Sequence, residues 1–74
     1  MDLQDFIRKF SEQFDDVDFS DLTPETCYKN LEGWSSLVAL SVIAMIDEEY
    51  DVSLKSDDLL KSETIQDLFE RIRK

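Results

Sequence analysis

The chain of 74 residues contains no histidine, one cysteine, one glycine and one proline. Without histidine, the commonest general base and zinc ligand are missing, and a Ser-His-Asp triad is excluded. The lone Cys27 can form neither an internal disulfide nor a metal site of several cysteines, so we expect a small, partly buried residue there. So little glycine and proline favours helices joined by polar loops over tight hairpins.

Basic residues are also scarce, and the charge is unevenly placed. Eight Lys and Arg residues oppose 18 Asp and Glu residues, which gives a formal net charge of −10. From Phe10 to Leu54 there are eleven acidic residues and one basic residue, Lys29, whereas the two flanking segments together carry seven of each sign. Such a field repels nucleic acid and anionic lipid and attracts basic protein surfaces. A solvated surface that only aids solubility is the simpler alternative.

The chain has no long apolar run. The most apolar stretch, Leu37 to Ile46, spans ten residues, about half of what a bilayer crossing needs. The first residues, MDLQDFIRKF, are charged and do not resemble the apolar part of a signal peptide. We therefore expect a cytoplasmic protein with no membrane partner.

Apolar periodicity predicts a single all-α domain over residues 1–74, a small bundle of three longer helices and one short helix. The helices are predicted at about 2–15, 36–50, 56–61 and 64–73. Ser56 is expected to cap the short helix, and Thr64 and Asp67 form a capping pair before the last one. The first helix carries apolar residues at helical spacing, which we assign to the core: Leu3, Phe6, Ile7, Phe10 and Phe14.

Residues 16–35 lack helical periodicity and are predicted to form a long loop. Scattered apolar residues should anchor it to the core: Val17, Phe19, Leu22, Tyr28 and Leu31. Thr23-Pro24 could open a short helical turn. A calcium loop beginning at Asp16 fails, because Asp21 stands where glycine is required and Cys27 where glutamate is required. No metal site is predicted.

The central helix, 36–50, is apolar on two sides. One side is a normal core stripe: Ala39, Val42, Ile43, Ile46 and Tyr50. Leu37, Leu40 and Ala44 lie nearly opposite. Either the other helices cover this second stripe, or it is an exposed patch for a partner protein. Asp47, Glu48 and Glu49 follow in the last turn, the unfavourable helix end for negative charge, which suggests an electrostatic role.

Ser35 and Ser36 precede this apolar helix. A serine at a helix start is usually a cap for an orphan backbone N–H group. The same position also suits a phosphate, because free N–H groups and the positive end of the helix dipole meet there. A catalytic serine is not supported, since GWSSL lacks the second glycine of a nucleophile elbow and no histidine is present. We predict no catalytic residue and no enzyme activity.

The order of these features resembles the acyl carrier proteins. A long loop leads to Ser-Leu at the start of a helix, and SLVALSVIAMIDEEYDVSL follows the family pattern without a gap. SETIQDLFERI is similar to the family's last helix. The resemblance implies that Ser36 receives 4′-phosphopantetheine, which a phosphopantetheinyl transferase takes from coenzyme A. Acyl intermediates of fatty-acid synthesis or a related pathway would then be carried as thioesters.

The resemblance also implies a docking surface for partner enzymes. The carrier, expected to be a monomer, would meet the basic patches of acyl-transfer and synthase enzymes through one helix face: Leu37, Leu40, Asp47, Glu48 and Glu49. Family members usually carry aspartate where Ser35 stands, on the surface that the transferase contacts. We therefore expect modification by a transferase that relies on apolar contacts.

Alternatives of three kinds remain open from the sequence, and the first kind concerns the roles of the two serines. Ser35 is a rival attachment site, although the residues after Ser36 favour Ser36; alternatively Ser35 caps the helix while Ser36 carries the arm. An unmodified acidic interaction module with the same fold is the second alternative. A nucleic-acid mimic is the third, and it is weaker because the acids are confined to part of the chain.

Overall fold

Four α-helices build the protein, and the computed structural model describes residues 2–15 and 17–73. The helices are α1 (Leu3–Ser11), α2 (Ser36–Tyr50), α3 (Ser56–Lys61) and α4 (Ile65–Ile72). Two single turns of 3₁₀ helix, Phe19–Asp21 and Tyr28–Asn30, lie in the connection between α1 and α2. Over the described residues there is no β-strand, and three helices are longer than the fourth. The predicted all-α bundle is confirmed.

Helix α1 is shorter than the apolar spacing predicts, because it ends at Ser11 and not near residue 15. The N–H groups of Gln13 and Phe14 bond to the carbonyls three residues earlier, at 3.1 Å in both cases. The chain thus tightens from α-helical into 3₁₀-type turns. Phe14 remains buried against the core. Its inward position is compatible with both geometries, so apolar spacing could not locate the helix end.

Helix α2 covers the predicted range and has a defined residue at each end. Ser35 is extended, with φ −151°, and its Oγ accepts a 3.3 Å hydrogen bond from the Val38 N–H group. Asp51 ends the helix in the left-handed conformation at φ 57°, and its N–H group bonds to the Asp47 carbonyl at 3.0 Å. Aspartate tolerates this conformation better than most residues with a side chain.

The loop before α2 is anchored chiefly by two apolar side chains. Leu22 and Tyr28 are buried, while Val17, Phe19 and Leu31 are half-buried against the core. Thr23-Pro24 opens a single turn, closed by the 3.0 Å bond from the Thr26 N–H group to the Thr23 carbonyl, and no helix follows. The predicted anchors and the turn suggested at Thr23-Pro24 are therefore both present.

The same turn supports the start of α4. The Ile65 N–H group bonds to the Thr26 carbonyl at 3.1 Å, and the Gln66 N–H group bonds to the Pro24 carbonyl at 2.9 Å. The next N–H group, of Asp67, bonds to the Thr64 hydroxyl at 3.1 Å, as the capping pair predicts. The first three N–H groups of α4, which no helical carbonyl can satisfy, are thus all bonded.

Helix α3 is capped by a different residue from the one predicted. Lys55, not Ser56, occupies the cap position, and Ser56 is the first helical residue. The Lys55 N–H group donates to the Asp58 carboxylate at 3.0 Å, so the acid three residues on closes the first turn. Arg71 of α4 contacts the same residue, with Nη1 3.2 Å from Asp58 Oδ1. Asp58 therefore joins the two last helices.

The core lies where α1, α2 and α4 meet. The Phe6 ring is fully buried, with its centroid 5.5 Å from that of Phe69 and 5.9 Å from that of Tyr50. Of the stripe predicted on α2, Val42 and Ile46 are buried, and Ala39, Ile43 and Tyr50 are half-buried against the core. Met45 is buried as well, although it was not among the predicted core residues.

None of the described helices is long and apolar enough to span a membrane.

Candidate functional site

Ser36 is the first residue of α2 and is exposed. The chain reaches it through Gly33, at φ 96°, and Trp34, whose N–H group bonds to the Leu31 carbonyl at 3.1 Å. The Trp34 ring packs against two aromatic rings, with centroids 5.0 Å from Tyr28 and 6.1 Å from Phe14. The start of α2 is therefore held by buried aromatic side chains.

The two adjacent serines have different environments. Ser35 uses its side-chain oxygen to cap α2, and its carbonyl accepts the 2.9 Å bond from the Ala39 N–H group. Among the hydrogen bonds of the described residues, none involves the Ser36 hydroxyl. The structure thus separates a capping serine from a serine whose hydroxyl is available. The capping role of Ser35 is the one that the sequence offered as an alternative, and attachment of the arm at Ser36 stays a prediction.

A groove of about 530 Å³ runs beside Ser36 between α2 and α3. We call it the α2–α3 groove. Its walls are mainly apolar, from Trp34, Ala39, Leu40, Ile43, Leu59 and Leu60, and its polar lining residues are Lys29, Ser35, Ser36 and Ser56. No pattern in the sequence had predicted this groove. The adjacent leucines of SDDLLK were the available signal, because only Leu59 can face the core, leaving Leu60 68% exposed.

The second apolar stripe of α2 faces solvent. Leu37 is 74% exposed and Leu40 60% exposed, and Ala44 is exposed beside them. The interpretation that other helices cover this stripe is therefore wrong. An exposed stripe of large apolar residues typically marks an interaction surface.

The three acids at the end of α2 are not equivalent. Asp47 and Glu48 are exposed, and the ion pairs of the described residues do not include them. Glu49 is 3.0 Å from the Lys9 ammonium, which is also 3.0 Å from Asp5 of α1. The hydrogen bond to Glu49 and, to a smaller extent, the one to Asp5 hold the pKa of Lys9 above its usual range. Glu49 thus forms an ion pair with α1, and the side chains of Asp47 and Glu48 do not.

The chemistry of the described residues is limited. They contain no group of three or more acidic, cysteine or histidine side chains placed to hold a metal ion. Cys27 is half-buried and free. Ser36 has no histidine in the chain to activate it as a nucleophile.

The comparisons with known proteins agree with this geometry. A profile for the phosphopantetheine attachment site matches residues 15–72, most of the chain. The chain belongs to the acyl carrier protein family. A curated acyl carrier protein from Desulforapulum autotrophicum is 33% identical over 64 residues, covering 86% of this chain and 83% of the relative. No solved structure gave a significant match.

Family membership fixes the general role of this acyl carrier protein. Its cofactor is covalently attached 4′-phosphopantetheine, and it is a carrier and not an enzyme. It interacts with a phosphopantetheinyl transferase and with enzymes that handle acyl groups. These findings confirm the predicted family, cofactor and absence of enzyme activity.

Proposed function

We propose that Ser36 is the attachment residue and that the arm it carries delivers acyl thioesters to the enzymes of fatty-acid synthesis or a related pathway. The observation that supports Ser36 most directly is the division of labour between the two serines. Ser35 Oγ is occupied by the Val38 N–H group, whereas Ser36 is exposed at the first position of α2. A phosphodiester on Ser36 would lie where the N–H groups and dipole of α2 favour negative charge.

The transfer itself requires the partner enzyme. The Ser36 hydroxyl would lose its proton to a transferase base as its oxygen forms a bond to the phosphorus of coenzyme A that bears the pantetheine arm. The bond from this phosphorus to the bridging oxygen of the diphosphate would break, adenosine bisphosphate would leave with that oxygen, and a phosphodiester would join Ser36 to the arm. Because Ser35 contributes no charge where family members usually carry aspartate, we infer that the transferase relies on the apolar side chains beside Ser36. Leu37 and Leu40 are exposed for this contact.

We further propose that the exposed stripe and the acidic end of α2 form one docking surface for acyl-transfer and synthase enzymes. The apolar part supplies burial, and the acids attract basic patches and speed association. The surface comprises Leu37, Leu40, Asp47, Glu48 and Glu49. A monomeric state and a cytoplasmic location are part of the same proposal.

Intact-mass measurement tests the attachment residue. The protein is incubated with coenzyme A, magnesium and a phosphopantetheinyl transferase of broad specificity. Wild type and Ser35→Ala should each gain one phosphopantetheine, and Ser36→Ala should gain none. Ser35→Ala loses the cap of α2, which should lower the free energy of unfolding by about 1 kcal/mol. Modification of this variant would show that attachment does not depend on the capping side chain.

A mass gain in Ser36→Ala, or no mass gain in Ser35→Ala, would contradict attachment at Ser36.

A further inference from the structure

The α2–α3 groove has a charge pattern unlike the rest of the protein. Although the chain carries 18 acidic residues, no Asp or Glu is among the ten described residues that line the groove. Its one charged lining residue in the described chain is Lys29, the single basic residue between Phe10 and Leu54. An anion placed there meets an ammonium group and no carboxylate lining the same cavity.

Lys29 is also held close to the residues that lead to Ser36. The neighbouring Tyr28 ring contacts the Trp34 ring at 5.0 Å between centroids, so the turn that carries Lys29 lies beside the start of α2. Lys29 Nζ donates to the carbonyl of Leu60, a residue of α3 that also lines the groove. An ammonium group has three N–H donors, and this carbonyl uses one of them. The remaining donors can bond to a second acceptor.

We propose that Lys29 is a positioning residue that binds an oxyanion of the Ser36-linked arm inside the α2–α3 groove. The inference rests on the proposed attachment at Ser36. The phosphodiester is an oxyanion next to Ser36, and a carboxylate at the far end of an acyl group would be another. A charge-assisted hydrogen bond from Lys29 to either would draw the arm against the apolar walls, which carry no other charge.

Trp34 offers a readout without labelling, because it is the only tryptophan and it lines the groove. Its emission and its quenching by acrylamide are compared before and after arm attachment in wild type, Lys29→Met and Lys29→Arg. Lys61→Met is the matched control, since Lys61 is exposed on α3 and does not line the groove. Circular dichroism establishes that each variant is folded.

In wild type, attachment should shift the Trp34 emission and protect it from acrylamide. Lys29→Arg and Lys61→Met should both behave like wild type. Lys29→Met should lower the ratio of bound to free arm roughly fivefold, which is the effect of losing one partly exposed ion pair. High salt should reduce the wild-type shift, because it screens the pair, and should leave Lys29→Met unchanged. This salt titration tests the ion pair in the unmutated protein.

The arm is examined as the free thiol, as butyryl thioester and as succinyl thioester. A Lys29→Met effect in all three assigns the oxyanion to the phosphodiester, and an effect confined to succinyl assigns it to the carboxylate; both support the site. An unchanged Trp34 signal on attachment in wild type, or equal signals in wild type and Lys29→Met, would overturn the inference while the mass gain still supports Ser36. Absence of any mass gain would overturn the proposed function, and this inference with it.

Discussion

Replacing Tyr28 by phenylalanine tests how the loop before Ser36 is attached to the other helices. The Tyr28 side chain is fully buried, and its single O–H group is shared between the carbonyls of Leu59 and Ser62, the latter at 3.1 Å. Tyr28→Phe keeps the ring and leaves both carbonyls without this donor. Losing the partner of a buried polar group costs roughly 1–3 kcal/mol, which lowers the melting temperature of so small a domain by about 5–20 °C.

The pH dependence gives an independent measure of the same hydroxyl. Burial raises the pKa of Tyr28 to about 12 from its usual 10. Between these two values the unfolded chain has lost the proton that the folded protein keeps, so stability falls as pH rises. Two pKa units correspond to up to about 3 kcal/mol. The difference in unfolding free energy between wild type and Tyr28→Phe should therefore shrink from pH 10 to pH 12.

Tyr50 supplies the matched control. Its hydroxyl is buried without a hydrogen-bond partner among the described residues, and burial raises its pKa. Tyr50→Phe removes a polar atom that gains nothing from burial, so the free energy of unfolding should stay the same or rise by up to about 1 kcal/mol. Urea unfolding of the three proteins at pH 7 and at higher pH measures both effects. Equal stability of wild type and Tyr28→Phe, or equal losses in the two variants, would show that the Tyr28 hydroxyl does not stabilise the fold.

Two further predictions concern charge. Glu48→Lys should raise the KM of an acyl-transfer enzyme for the carrier and should not lower the melting temperature, because it removes a negative charge from the unfavourable helix end. Glu49→Lys should raise the KM as well but should lower the melting temperature, because it replaces the ion pair with Lys9 by repulsion between two ammonium groups. Equal KM values for both variants and wild type would show that the acidic helix end only aids solubility. Because the net charge is −10, added NaCl or magnesium should raise the melting temperature of wild type by screening self-repulsion. A melting temperature that ignores both salts would contradict this prediction.

The sequence predicted the features that depend on local patterns. The bounds of α2 followed from a serine before an apolar repeat, and the Thr64–Asp67 pair identified the start of α4. The exposed stripe of α2 was correctly located, but its exposure could not be decided, because that depends on how closely the other helices pack. The end of α1 was missed because Phe14 is inward in either turn geometry.

The α2–α3 groove and the contacts that cross the fold could not be predicted from spacing. Lys29 and Leu60 are 31 residues apart, and no local pattern indicates that an ammonium will meet that carbonyl. The pairing of Lys9 with Glu49 likewise joins two helices whose relative rotation the sequence does not specify. Such contacts follow from packing in three dimensions.

The attachment of phosphopantetheine to Ser36 can be tested most directly by fragment mass spectrometry of the modified protein. A peptide spanning Leu31 to Leu40 contains both serines, and cleavage of the peptide bond between them gives fragments that hold one serine each. Fragments that contain Ser36 should carry the added mass, and fragments that end at Ser35 should not. The added mass on Ser35, or on neither serine, would contradict attachment at Ser36.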